Sequence, residues 1–152
     1  MQLTFTLCLP RDEASVPFVR HMCRSSLDRL GVGRDCASDI EIAVSEACTN
    51  VLRHAETTDD GYEVQVSIDE TDCTISVIDT GGDVDVDAIP VGEASPTAES
   101  GRGVYLMKAL VDDLRFVSDR TSGTVVRLRK SLEVEPGSIL ARLAGRSAAA
   151  PA

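Results

Sequence analysis

The sequence predicts an α/β (α+β) two-layer sandwich, a mixed and mostly antiparallel sheet covered on one face by helices. Three observations carry this. Short stretches alternate apolar and polar residues with period two, and longer stretches repeat apolar residues at spacings of three and four. The order along the chain is strand, two helices, two strands, a long loop, a helix and two strands, which segregates helices from strands as a layered sandwich requires. The 152 residues suit one domain with one sizeable core.

Each element has its own signal. Gln2–Leu9 places Leu3, Phe5, Leu7 and Leu9 on one strand face. Glu13–Leu30 repeats Val16, Val19 or Phe18, Cys23, Leu27 and Leu30 at helical spacing, and Gly31 and Gly33 stop it. A second helix runs from about Asp35, a candidate N-cap, to His54. Glu63–Asp69 and Cys73–Asp79 read as strands around a Thr71-Asp72 turn, with Ile78 suiting a strand end buried on both faces. Thr80 to Arg102 is long, irregular and rich in Gly, Pro, Ser and Thr, the pattern of a functional lid. Gly103–Asp113 reads as a helix, and Leu114–Ser118 and Thr124–Arg129 as strands around a Ser122-Gly123 turn. Residues 1–130 form the expected domain. Residues 131–152 form an extension with one or two helical turns over Ser138–Leu143 and a frayed tail from Arg146.

Composition narrows the function. A formal charge of −10 argues against gripping a nucleic-acid backbone, which takes clustered Lys and Arg. The balance is uneven: residues 83–100 carry Asp83, Asp85, Asp87, Glu93 and Glu99 without Lys or Arg, whereas Arg115 to Arg146 is mostly basic. Aromatic residues make up 3% and Trp is absent, so the core is expected to be aliphatic. Five cysteines at wide, irregular spacings with no C-x-x-C pair suit reduced thiols in the cytosol rather than a disulfide framework or zinc site. Met1–Pro10 lacks the pattern of a signal peptide, and no apolar run approaches the ~20 residues that span a bilayer. A cytoplasmic protein without membrane contact is the expectation.

The chemistry concentrates on the second helix. Ile40, Val44, Ala47, Val51 and Ala55 form its buried stripe, while Glu46, Asn50 and His54 stand four residues apart on another side. A carboxylate one turn from a carboxamide suits a metal–phosphate site: Asn oxygen is a hard ligand for Mg²⁺, and a carboxylate can take a hydroxyl proton. The Asp79-Thr80-Gly81 segment leaves a strand with a carboxylate at its end, and glycine lets backbone come close behind a flat ligand. Gly101-Arg102-Gly103 opens a helix, where backbone N–H groups and Arg102 can cradle phosphate.

These segments resemble, in order, the boxes of the GHKL ATPases, in the version found in bacterial anti-sigma-factor serine kinases. Ser45–Ala55 resembles the N box, which implies Glu46 as general base and Asn50 as the Mg²⁺ ligand. Val77–Gly82 resembles the G1 box, which implies Asp79 and Gly81 at adenine. The sequence departs from that box at Asp83, where a second Gly is expected. Glu99–Met107 resembles the G2 box, with Gly101, Arg102 and Gly103 at the phosphates, and Thr124 matches a Gly-Thr that supports adenine. The resemblance covers roughly residues 3–130 and implies the Bergerat ATP-binding fold, ATP with Mg²⁺, and phosphoryl transfer to a serine of a STAS-type anti-anti-sigma protein. A sigma factor would be the other partner and a homodimer the assembly. Neither His21 nor His54 sits in a phosphoacceptor pattern, and the large transducer domains of other GHKL classes are absent from this sequence. The alternative reading is a binding module that holds a sigma factor or its antagonist without phosphorylation.

Overall fold

The computed structural model describes residues 1–54, 61–79, 101–119 and 123–149. Gly81, Ala55 and the expected lid over 83–100 lie outside the described residues. Nine elements follow in order: β1 (Leu3–Leu9), α1 (Ser15–Leu30), α2 (Arg34–His54), β2 (Tyr62–Ile68), β3 (Asp72–Asp79), α3 (Gly101–Leu110), β4 (Asp113–Asp119), β5 (Gly123–Ser131) and α4 (Ile139–Ala149). The five strands form one sheet in the order β1-β2-β3-β5-β4. The sheet expected to be mixed and mostly antiparallel is antiparallel in all four of these pairings. The two-layer sandwich is as expected, with α1, α2 and α3 over one face.

Period-two patterning sets which face is covered. In β2, Tyr62, Val64, Val66 and Ile68 are buried while Glu63, Gln65 and Ser67 are only partly so. β3 alternates through Cys73 and Ile75 and then stays buried from Ile75 to Asp79, as its Ile78 suggested. The antiparallel register aligns Val66 with Phe5 and Ile75, and Ile75 with Leu128, so one apolar row crosses four strands. The opposite face carries Thr4, Thr6, Gln65, Thr74 and Arg127. On the edge strand β1, Phe5, Leu7 and Leu9 are half-buried against the core, and Leu3 at its start is exposed.

The helices follow their stripes. α1 buries Ser15, Val19, Cys23 and Leu27 and leaves Phe18 half exposed, so Val19 and not Phe18 is the core residue. Gly31 ends α1 in the left-handed region at φ 87°, with its N–H bonded back to Asp28 O at 3.1 Å and that of Val32 to Leu27 O at 3.0 Å. Asp35 lies inside the first turn of α2 rather than at its cap, where its charge suits the helix dipole. α2 buries more than the expected stripe. Cys36, Ala37, Ile40, Ala43, Val44, Ala47, Cys48 and Val51 are all at most 3% exposed, because α1, α3 and the sheet enclose it on three sides. Arg24 of α1 ties the helix pair together, reaching Glu41 at 2.9 Å, Ser38 at 3.0 Å and its own helix's Asp28 at 3.0 Å.

α3 begins at Gly101, two residues before the expected start, and stops at Leu110. It stops because the Asp112 N–H turns to Arg129 O on β5, at 2.9 Å, and draws the chain into β4. The last helix is longer than the one or two turns expected. Leu140 is fully buried in the main core. The segment before α4 is stitched to the α1–α2 turn, with Gly33 N–H donating to Glu133 O at 2.7 Å and Glu135 N–H to Gly31 O at 2.8 Å. A side chain at Gly31 would meet Ser138 Cβ at 2.1 Å, so glycine is required there twice over, by φ and by space.

All five cysteines are free thiols, and only Cys8 is exposed. Burial pushes the Cys23 and Cys48 thiols up to about 12 and raises Cys73 as well. Thiolate, the reactive form, is therefore scarce at neutral pH in the core. Native protein titrated with an aromatic disulfide reagent at pH 8 should release the equivalent of Cys8 quickly and the other four only on unfolding. Leu140→Ala should lower unfolding stability by about 2–5 kcal/mol in urea melts. A change within a few tenths would mean that α4 adds nothing to the core.

Candidate functional site

The candidate residues fall on three elements: the C-terminal half of α2, the end of β3 and the first turn of α3. α2 is long because no helix-breaking residue interrupts Arg34–His54. Its polar residues at 46 and 50 share one side of the helix, and Glu46 meets α3 there. Glu46 is partly buried there. A Cβ added to Gly103 would come to 3.0 Å from Glu46 Oε2, so the carboxylate lies directly against the α3 backbone. Any larger residue at 103 would press on it.

Asn50, one turn further along, is 7% exposed, and its Nδ2 finds no hydrogen-bond partner among the described residues. An unpaired buried amide carries a desolvation cost of about 1–3 kcal/mol, which a ligand can relieve. A half-turn of the amide exchanges nitrogen and oxygen, so the same position can serve a phosphate oxygen or a cation.

Gly101, Arg102 and Gly103 occupy the first turn of α3. The first N–H groups of a helix have no partner within it and carry the positive end of its dipole. Starting the helix at Gly101 therefore brings the glycine segment itself into the donor-rich turn. Arg102 is exposed, with its charge toward solvent. Val104 and Met107 anchor the helix in the core, while Tyr105 on the outer side is 77% exposed.

Asp79, the last residue of β3, is 4% exposed and forms an ion pair with Arg11. The register sets Tyr62 opposite Asp79, and Val125 opposite Ile78. One step on along each antiparallel strand, Asp79 and Thr124 come to the same end of the sheet. Tyr62 is fully buried, and its hydroxyl shares a hydrogen bond with Ser15 at the start of α1. Burial pushes the Tyr62 hydroxyl up to about 12.

The structure thus brings Glu46 and Gly103 together at the α2–α3 contact, with Asn50 one turn on from Glu46, and sets Asp79 at the end of β3 and Thr124 at the start of β5. Gly81 falls outside the described residues. Arg11, Ser15 and Tyr62 were not singled out in the sequence. Arg11 and Asp79 are 68 positions apart, and nothing local to either signals the pair. Among the described residues, no group of three or more His, Cys, Asp and Glu side chains is placed to hold a metal. A cation here would take few protein ligands, as Mg²⁺ does beside substrate phosphates.

The profile of the histidine kinase-like ATPase domain family matches residues 9–130, which hold every residue of this site. The chain is 32% identical over 137 residues to the serine-protein kinase RsbW of Bacillus velezensis, covering 84% of each chain. It is 34% identical over 140 residues to the serine-protein kinase RsbW of Halalkalibacterium halodurans, covering 86% of this chain and 84% of that one. Among solved structures, the RsbU and RsbW domains of a Mycobacterium tuberculosis protein superpose with a TM-score of 0.65 at 22% identity. That match covers 86% of this chain and 32% of the longer one, and it shows a shared fold. With the family profile matched across most of its length and relatives above 30% identity along the same span, the chain belongs to the histidine kinase-like ATPase family.

Proposed function

We propose that this protein is an ATP-dependent anti-sigma-factor serine kinase. In this reading it binds a sigma factor and phosphorylates a STAS-type anti-anti-sigma protein on Ser or Thr. The observation that carries it is the α2–α3 contact, where the Glu46 carboxylate lies against a glycine-opened helix start, with Asn50 one turn further along the same side of α2 and its buried amide nitrogen unpartnered among the described residues. The serine-protein kinase relatives support the choice of reaction.

The roles follow the family resemblance. Asp79, with Thr124 across the sheet from it and Gly81 two residues on in sequence, takes the adenine end. Gly101, Arg102 and Gly103 take the phosphates through backbone donors and one guanidinium. Asn50 holds Mg²⁺. Its Oδ1 is the hard oxygen that would take the cation, the unpartnered Nδ2 can donate to a phosphate oxygen, and the bound ion would neutralise charge on the phosphates. Glu46 accepts the proton of the substrate hydroxyl as its oxygen bonds to the γ-phosphorus and the bond to ADP breaks. The transfer depends on positioning and charge neutralisation, and Glu46 is well placed because the α3 backbone packs against it.

A cytoplasmic homodimer is part of the same reading. No helix among the described residues is long and apolar enough to cross a membrane. The edge position of β1, with Leu3 exposed, and the exposed Phe18 on α1 support pairing through the N-terminal strand and helix.

Two substitutions test the kinase reading. Glu46→Gln should hold MgATP within about threefold of wild type, while phosphate transfer to a STAS-domain partner, read by mass spectrometry, falls by about 10²–10⁴. Asn50→Ala should weaken MgATP binding at least tenfold, with a smaller change when the metal is chelated. A wild type that binds ATP and holds its partner, yet never phosphorylates it, would favour the module that binds without transfer.

A further inference from the structure

Asp79 is buried at the end of β3, and a buried carboxylate is costly unless a cation and hydrogen bonds compensate it. Arg11 supplies the cation, with its side chain 12% exposed against 5% for that of Asp79. The arginine does not come from the strand or helix beside Asp79 in sequence. It stands on the short connection between β1 and α1.

That connection is held firmly. Asp12 N–H donates to Pro10 O at 2.8 Å, Ser15 N–H to Asp12 O at 2.9 Å, and Ala14 N–H to Asp12 Oδ1 at 2.9 Å. Ser15 Oγ donates to Asp12 O at 2.6 Å and shares a hydrogen bond with the Tyr62 hydroxyl. Tyr62 is the cross-strand partner of Asp79. Behind it, a Cβ at Gly61 would strike Leu9 O at 2.2 Å, so the β1 end and the β2 start pack backbone to backbone. Both ends of the Arg11–Asp79 pair are thus mounted on the same fixed corner of the sheet.

We propose that Arg11 is a positioning residue for base recognition: its ion pair with Asp79 sets the orientation in which that carboxylate meets the amino group of a purine. The inference rests on the assignment of Asp79 to the adenine end given above. A guanidinium is planar and always charged, so it fixes the plane of a carboxylate in a way that a lone hydrogen bond does not. A recognition group held loosely loses affinity even when it is present. Arg11 acts through Asp79, so its loss should be felt only by a base that offers an amino donor to that carboxylate. Guanine presents a carbonyl oxygen at the corresponding position and gains nothing from a well-oriented acceptor.

The experiment is a double-mutant cycle on nucleotide binding, measured by calorimetry with MgATP and MgGTP, each variant first checked for folding by circular dichroism. Asp79→Asn and Arg11→Met should each weaken MgATP at least tenfold, and the double variant should be no more than about threefold weaker than Asp79→Asn alone, since residues acting through one contact are not additive. Arg11→Lys, which keeps the charge but loses the planar fork, should recover only part of the loss, and MgGTP binding should not weaken in any variant. Arg11→Gln replaces the methionine variant if that one does not fold. If Asp79→Asn leaves MgATP binding intact, the base assignment falls and takes this inference with it. If Asp79→Asn weakens binding while Arg11→Met does not, or if the two effects add in full, the inference alone is overturned.

Discussion

The enclosure of α2 is the constraint on which the rest of the molecule depends. A helix covered by α1, α3 and the sheet must be lined with residues small enough for close approach on every side. Ala37, Ala43, Ala47, Cys36 and Cys48 meet that need, and Ile40, Val44 and Val51 fill the gaps toward the strands. Polar residues on the enclosed sides of such a helix cannot simply face water, as Asp35 and Arg53 on its open side do. Asn50 is buried with an open amide position, and Glu46 lies against the α3 backbone. The chemistry of the site is thus a consequence of packing: polar groups are held where a purely structural helix would carry alanine, and their unmet hydrogen-bonding capacity is what a ligand can use.

The same constraint explains the composition. With 3% aromatic residues and no tryptophan, the space between the layers is filled by Val, Ile, Leu, Ala and thiols. Cys23, Cys36, Cys48 and Cys73 act here as small apolar side chains, and burial holds the proton on those of α1, α2 and β3 whose thiols are raised. Tyr62 is the exception, the largest side chain that is fully buried. It is tolerated because Ser15 satisfies its hydroxyl. That hydrogen bond also fastens the start of α1 to the strand opposite Asp79, so a core residue helps to fix the rim of the site.

Part of the basic stretch is paired with acids among the described residues. Arg129 meets Asp72 at 3.0 Å, Arg115 meets Asp113 at 3.3 Å, and Lys130 meets Asp39 at 3.4 Å while donating to Leu110 O at 2.7 Å. The basic far edge read from the sequence is therefore partly neutralised by acids of the same sheet and of α2. Pairs this exposed contribute little each. Arg129–Asp72 joins β5 to β3, and Lys130–Asp39 joins β5 to α2.

The sequence by itself determined the layer order, the element types and the residues of the site that sit in local patterns. Periodicity is a local property: alternation named the inward faces of β2 and β3, and helical spacing put Glu46 and Asn50 on one side of α2. Glycine chemistry likewise marked Gly31 and the start of α3, though the helix takes in Gly101, two residues before the expected start. The tertiary structure decided what depends on residues distant in the chain. It chose Val19 over Phe18 for the core, buried Leu140 of the longer α4 in the main core, and made every one of the four strand pairings antiparallel. It also set Arg11 on Asp79 from the far side of two helices and a strand, a meeting that no spacing encodes. Local rules read the chain along its length, and an ion pair between positions 11 and 79 exists only once β1, β2 and β3 lie side by side in register.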